Sequence, residues 1–174
     1  MPRPAQAAPL LRVPIPTPFG PFLARFSERG LARLDFPDQR NDAPRTGKLS
    51  VKQKRWRQLT HAAMARIIAG KKPRTTPPMD LPAATEFQRA VWRALQQIPS
   101  GTTFSYAQIA AAIGRPRATR AVGTACGANP IPLLVPCHRV VGASGLGGFS
   151  GGLAWKKRLL TAEAVALNTR STRR

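Results

Sequence analysis

The stretch SYAQIAAAIGRPRATRAVGTACGA, residues 105–128, decides the fold of this chain. Ser105 and Gln108 have the spacing of a capping box, which predicts a short helix beginning after Ser105. Gly114 breaks that helix, and a second one is predicted from about residue 118 to 128. Two short helices joined by a Gly-containing turn form a helix-turn-helix pattern. Such pairs also arise by chance in small helical proteins, so the pattern needs independent support.

The flanking segments extend this helical region into a domain over residues 83–168. Upstream, Thr85 and Gln88 form another capping box ahead of apolar residues at helical spacing. Downstream, apolar spacing predicts a last helix from about 153 to 167. Residues 169–174 are expected to form a basic tail.

The N-terminal half has a different pattern. Residues 1–17 are rich in proline and are expected to form a flexible arm. Apolar residues alternate over 22–26 and again over 32–36, which predicts a β-hairpin. Helical spacing follows over 51–69, and residues 18–82 are therefore interpreted as a small α/β domain that ends in a proline-rich linker. The predicted fold class is α+β: this sheet-containing domain, then a mainly helical domain with a winged-helix-like helix-turn-helix.

Charge supports a nucleic-acid partner. The chain has 28 Lys and Arg against 7 Asp and Glu, a formal net charge of +21. Such an excess favours a polyanion, and it strengthens the helix-turn-helix interpretation. An anionic membrane surface is less favoured, because no basic amphipathic helix with an aromatic apolar face stands out. The proline-rich start fits neither a signal peptide nor a membrane span.

Two cysteines without CxxC spacing do not indicate a disulfide framework, so a reducing, cytoplasmic location is expected. One of them lies in Pro136-Cys137-His138-Arg139-Val140. A free cysteine after an apolar run is most often a small buried hydrophobe. Here the adjacent His138 and the charge of Arg139 would favour the thiolate. Neighbouring residues point apart on a strand or helix, so direct contact between Cys137 and His138 needs a turn, and otherwise a water relays the proton.

Glu163 is the one acidic residue after Glu86 in the sequence. It falls on the apolar stripe of the predicted last helix, where an unpartnered carboxylate would cost several kcal/mol. Arg139 is a structural partner for it and His138 a functional one, which would complete a Cys-His-Glu triad. A metal site is not favoured, because the cysteines and histidines lack zinc-ligand spacing.

These motifs together resemble the O6-alkylguanine-DNA alkyltransferase family. The resemblance covers the Pro-Cys-His-Arg-Val motif, the upstream Asn129-Pro130, the Phe149-Ser150-Gly151-Gly152 segment and Glu163. It extends through the two capping-box helices and the Arg120-Ala121-Val122-Gly123 segment. The N-terminal half matches weakly, mainly at Thr17-Pro18-Phe19-Gly20.

The resemblance implies direct-reversal repair: the thiol of Cys137 would take the alkyl group from O6-alkylguanine flipped out of double-stranded DNA, once per molecule. It implies that His138 deprotonates Cys137 through water, that Glu163 orients His138, that Asn129 shapes the loop and that Tyr106 donates to the leaving guanine. Arg120 would fill the gap in the base stack. The further residues expected to bind substrate or DNA are Ser150, Phe149, Arg139, Val140, Lys156 and Arg117. No cofactor is expected, and the implied partner is duplex DNA, bound by a monomer in the minor groove without sequence preference and associated with the nucleoid while on DNA.

Three departures and alternatives stay open from the sequence. Phe149 stands where a tyrosine is common in the family, so stacking would survive without a hydroxyl contact. The Gly-rich loop 145–152 lacks the Lys-Ser/Thr pair of a P-loop, so a flexible loop that lets a flat ring approach the backbone is favoured over a phosphate cradle. The competing functions are a non-enzymatic protein of the same fold that binds alkylated DNA, and a helix-turn-helix regulator with an incidental Cys-His pair.

Overall fold

The computed structural model describes residues 10–37, 39, 47–81 and 83–164. Its N-terminal part holds a three-stranded antiparallel sheet in the order β1 (Leu11–Ile15), β2 (Phe22–Phe26) and β3 (Leu31–Asp35). The predicted hairpin is confirmed as β2 and β3. A register shift beside Phe26 places Leu31 opposite it, so Leu31 is fully buried while Ala32 is half-buried. The bulge therefore changes which residues of β3 reach the core.

Strand β1 corrects the prediction that residues 1–17 form a flexible arm. Leu11–Ile15 pairs with β2 along its whole length, from Leu11 opposite Phe26 to Ile15 opposite Phe22. Pro14 argued against a strand in the sequence, because proline has no amide hydrogen to donate to a neighbouring strand. Proline is tolerated on an edge strand such as β1. Residues 1–9 of the predicted arm lie outside the described residues.

Helix α1 (Val51–Ile68) starts at a complete Ser50–Gln53 capping box and closes at Ala69 and Gly70, as its pattern predicts. The linker that follows is held against β3. Leu31 donates its amide to the Pro78 carbonyl (2.8 Å) and accepts from the Asp80 amide (2.9 Å). These bonds extend the edge of the sheet and bring the chain towards the second half of the molecule.

The C-terminal half contains helices α2 (Glu86–Gln97), α3 (Tyr106–Ala112), α4 (Thr119–Gly127) and α5 (Leu153–Ala162), with a short parallel pair of β4 (Phe104–Ser105) and β5 (Val140–Val141). The predicted capping boxes at Thr85 and Ser105 are both present. Helices α3 and α4 pack together as the predicted helix-turn-helix, and α4 also packs on α2.

Helix α5 is shorter than predicted. It ends at Ala162, Glu163 is its C-cap, and Ala164 has a positive φ of 56° that helix continuation does not allow. Glu163 is therefore buried at the end of the helix rather than on a helical stripe. The predicted basic tail at 169–174 lies outside the described residues.

The two halves share one hydrophobic core. Phe22 and Phe36 of the N-terminal part both pack against Trp155 of α5, with ring centroids 5.1 and 5.3 Å apart. Phe36 also meets Phe149 edge-on at 5.6 Å. The sheet thus forms one wall behind the loop that precedes α5.

Candidate active site

Cys137 opens a single 3₁₀ turn, Cys137–Arg139, after the apolar run. Its residue is 4% exposed, and the sulfur accepts a hydrogen bond from Asn129 Nδ2 at 3.1 Å. A turn is present, but the side-chain bond found for the thiol is with Asn129 and not with His138. Cys137 also lines the cavity described below.

Asn129 organises the loop that leads to the thiol. Its Nδ2 also donates to the Val135 carbonyl (2.8 Å), and its Oδ1 accepts from the Ile131 amide (3.0 Å). Between these two partners of Asn129, Leu133 adopts a positive φ of 71°, which costs a non-glycine residue about 1–2 kcal/mol. The side chain of Asn129 thus stabilises the strained turn at Leu133 and also bonds the sulfur of Cys137.

His138, Arg139 and Glu163 form a buried cluster behind the thiol. The Nε2 of His138 lies 3.0 Å from Glu163 Oε1, and Arg139 donates to the same carboxylate through Nη2 (2.8 Å) and Nε (3.0 Å). Arg139 also donates to the Ile98 carbonyl at 2.7 Å. The two partners inferred from the sequence, one functional and one structural, are therefore both present at Glu163.

The cluster fixes the protonation of the histidine. Burial raises the pKa of Glu163, but bonds from His138 and Arg139 outweigh it and lower that pKa to about 2. Burial lowers the pKa of His138 in spite of the carboxylate. A neutral imidazole must donate from Nε2 to an ionised acceptor, which leaves Nδ1 as a lone-pair base. Nδ1 is buried and bonds no group among the described residues, so no protein donor occupies its lone pair.

The thiol is protonated at rest. Burial raises the pKa of Cys137, and the Asn129 hydrogen bond and the charge of Lys156 offset this in part. A thiol becomes strongly nucleophilic when it is deprotonated. The site therefore holds a neutral thiol and a neutral imidazole, and the thiol proton has to leave before or during nucleophilic attack.

The thiol faces a cavity of about 300 Å³ beneath the helix-turn-helix. Its lining residues are Tyr106, Gly123, Cys126, Gly127, Cys137, Gly148, Phe149 and Ser150. Burial raises the pKa of Tyr106, so the phenol is a donor at neutral pH. A larger cavity of about 690 Å³ lies between the sheet and the linker, and its lining includes none of the predicted site residues.

Three lining residues were not predicted: Gly123, Cys126 and Gly127 of α4. Their i, i+3, i+4 spacing puts them on one face of a helix, which is the signal that would have found them. A Cβ built on Gly127 meets nothing within 4 Å, and one on Gly123 comes only to 3.9 Å from the Tyr106 ring. Helix α4 therefore presents a small-residue face that widens the cavity.

Lys156 does not lie where a DNA contact was predicted. The residue is fully buried, and its ammonium donates to the carbonyls of Val140 (2.6 Å), Leu146 and Gly148 (3.0 Å). Burial lowers its pKa to about 8, so it remains mostly charged at neutral pH. The Gly-rich loop expected to be flexible is thus tied to α5 at two of its carbonyls.

Two other predicted contacts also lie in the interior. Arg139 is 7% exposed and bonded to Glu163, and Val140 is fully buried in β5. Both belong to the buried segment that follows Cys137 in the chain. Neither Arg139 nor Val140 therefore lies at the surface where a DNA contact was predicted. Arg117 and Arg120, in contrast, are exposed at the start of α4, outside the cavity lining.

No group of three His, Cys, Asp or Glu residues in the described part of the chain is arranged to hold a metal ion. The described helices also include none that is both long and apolar enough to cross a membrane. The Cys137 thiol and the Tyr106 phenol line the cavity, and the His138 imidazole and the Glu163 carboxylate lie behind the thiol.

The site thus combines a buried thiol, a buried His138–Glu163 pair and a helix-turn-helix above the cavity. The family model described as "6-O-methylguanine DNA methyltransferase, DNA binding domain" matches residues 86–165. A methylated-DNA–protein-cysteine methyltransferase of Methanosarcina barkeri is 39% identical over 155 residues, which cover 86% of this chain and 94% of the relative. The chain belongs to this methyltransferase family.

Other relatives agree. The enzyme of the same name from Mycolicibacterium paratuberculosis is 62% identical over 80 residues, 45% of this chain and 48% of that one. Among solved structures, Mycobacterium tuberculosis OGT in complex with DNA superposes with a TM-score of 0.73 at 38% identity, covering 88% of this chain and 92% of that one. The predicted α+β fold and the resemblance to the alkyltransferase family are confirmed.

Proposed function

We propose that Cys137 is the alkyl acceptor in direct-reversal repair of O6-alkylguanine in DNA. The observation that carries this is that Cys137, of the two buried cysteines lining the 300 Å³ cavity, is the one that adjoins the His138–Glu163 pair. The sulfur attacks the alkyl carbon, a C–S bond forms, and the bond between that carbon and O6 breaks. The product thioether has no hydrolytic exit, so each molecule reacts once.

The proton follows a path that the site's groups support. His138 Nδ1 takes the thiol proton through water, while Glu163 accepts from Nε2 and stabilises the imidazolium that results. Tyr106 donates a hydrogen bond to the guanine as it leaves. Because Asn129 already donates to the sulfur, the developing thiolate keeps a hydrogen bond until the C–S bond forms.

The partner is duplex DNA, bound through α3 and α4. The alkylated base is flipped into the cavity, stacks against Phe149 and lies near Ser150, while Arg120 fills the gap that it leaves. Arg117 contacts phosphate. Minor-groove binding suits a protein that searches all sequences, because that groove carries little sequence information. The protein acts as a monomer in the cytoplasm, associated with the nucleoid while on DNA.

Intact-mass measurement tests the proposal. The protein is incubated with a duplex containing O6-methylguanine, and peptide mapping locates any added methyl group. We expect a gain of one methyl on Cys137 and none in Cys137→Ala. A matched control, Cys126→Ala, removes the other thiol of the cavity and should still gain one methyl. Tight binding to the damaged duplex without a mass change would refute the proposal and indicate a lesion-binding protein.

A further inference from the structure

The segment from residue 47 to 79 contains nine Lys and Arg and no Asp or Glu. Most of it is helix α1, whose first turn carries no acid. Lys52 and Lys54 lie in that turn, where positive charge opposes the helix dipole. The chain thus maintains an unfavourable arrangement of charge at this end of the helix, which an anionic partner would relieve.

Exposure sorts the residues of α1 into distinct rows. Gln53, Ala63, Met64 and Ile67 are buried. At 100° per residue, the opposite, outermost ridge carries Val51, Gln58, Ala62 and Ala65. Cations flank that ridge on both sides, with Lys54 and Arg57 along one edge and Lys52 and Arg55 along the other.

These four cations have no acidic partner among the described residues. Asp35 pairs with Arg25 and Arg33, and Asp80 with Arg29, while Glu28, exposed in the hairpin turn, forms no ion pair with any of the four. Lys52, Lys54, Arg55 and Arg57 are all exposed. Their charge is therefore available to a partner outside the chain.

The shape of the face selects the partner. A helix 10–12 Å across fits the major groove of B-DNA, about 12 Å wide, and cations on both edges then reach the phosphates of both strands. The central Ala62 and Ala65 allow close approach, and Gln58 is the one polar side chain among the four residues of the ridge, so the ridge offers few groups to read bases. An anionic membrane would need an apolar face to insert, and the apolar face of α1 packs on β1 and α5.

We infer that the outward face of α1 is a second surface for duplex DNA, which holds phosphates on both sides of a groove without reading sequence. It is separate from the helix-turn-helix, because α4 packs on α2 and α3 instead. This surface goes beyond the proposed alkyl transfer and does not depend on it. It would let the protein remain on undamaged DNA while the helix-turn-helix releases and engages.

Salt-dependent binding to undamaged duplex tests the inference. The variants are K54Q/R57Q on one edge of α1 and K52Q/R55Q on the other, with R93Q/K157Q on α2 and α5 as a control of equal charge change. Each lost phosphate contact lowers the slope of log affinity against log salt by about 0.9, so each α1 variant should lose about 1.8. With equal affinities extrapolated to 1 M, that is about 60-fold at 0.1 M salt.

The control should change the slope by much less. Slopes of both α1 variants equal to that of the control would overturn the inference, and a loss confined to one edge would refute the two-sided seating. If the α1 variants lost binding to anionic vesicles and to duplex DNA equally, the inference that this surface is specific for duplex DNA would also be overturned. Reaction with free O6-benzylguanine should stay at the wild-type rate, so a failure of alkyl transfer is recognised separately from a failure of this surface.

Discussion

Replacing Glu163 by glutamine keeps the shape of the side chain and removes its charge. In the folded protein this charge is shared by His138 and Arg139, and the Glu163 side chain is 1% exposed. Breaking a buried ion pair by removing one partner costs about 3–5 kcal/mol, because the other charge stays buried without compensation. The pKa of Glu163 is lowered from 4.5 to about 2, which independently corresponds to about 3 kcal/mol.

The pH dependence follows from the direction of that shift. A carboxyl group whose folded pKa is lowered stabilises the fold above its unfolded pKa, and this stability is lost as pH falls through the folded pKa. We therefore expect E163Q to be about 3 kcal/mol less stable than wild type at pH 7, with a gap that shrinks between pH 4.5 and pH 2. Denaturant unfolding across that range measures it.

The same substitution should slow methyl transfer, because glutamine is a weaker acceptor for Nε2 of His138 and does not stabilise an imidazolium. The expected loss is at least about tenfold at pH 7 and at most the 10²–10⁴-fold that a general base supplies. Glu28→Gln, an exposed acid in the hairpin turn, is the matched control. Wild-type rate in a folded E163Q would refute the orienting role and leave Glu163 as a structural partner of Arg139.

Three further substitutions probe the rest of the site. Arg120→Ala should slow repair of duplex more than reaction with free O6-benzylguanine, because stacking matters when a base is flipped out of DNA; equal losses would contradict the role. Tyr106→Phe removes one donor to the leaving guanine and should slow single-turnover transfer about 3- to 10-fold; an unchanged rate would leave Tyr106 as a packing residue. Lys156→Met leaves three carbonyls, two of them in the Gly-rich loop, without their shared donor and should cost about 1–3 kcal/mol of unfolding free energy, with faster amide exchange over residues 145–149; unchanged exchange there would argue against Lys156 as the residue that holds the loop.

The features that could be predicted from the sequence are those encoded locally. Both C-terminal capping boxes form where Thr85 and Ser105 predict them, since the two partners lie three residues apart. The burial of Glu163 could be predicted because its neighbours in the sequence are apolar. Its partners could be predicted because a buried carboxylate needs hydrogen bonds or a positive charge. Their roles in the reaction remain predictions.

The features that were missed depend on tertiary contacts. Strand β1 carries a proline that its edge position alone makes tolerable. Lys156 is interpreted from sequence as a surface cation, and the three carbonyls that surround it come from separate positions in the chain. The contact of Phe36 with Phe149 joins residues far apart in sequence, which no local periodicity encodes.

That contact bears on how the protein folds. A Cβ on Gly151 would lie 2.5 Å from the Phe36 ring, so the loop beside the cavity closes against a strand end made more than a hundred residues earlier. Contacts of such sequence separation carry a high loop-closure cost and slow folding. The helices can form from local signals, whereas the cavity is complete only when the sheet docks. Acquisition of reactivity should therefore lag behind acquisition of helical structure during refolding.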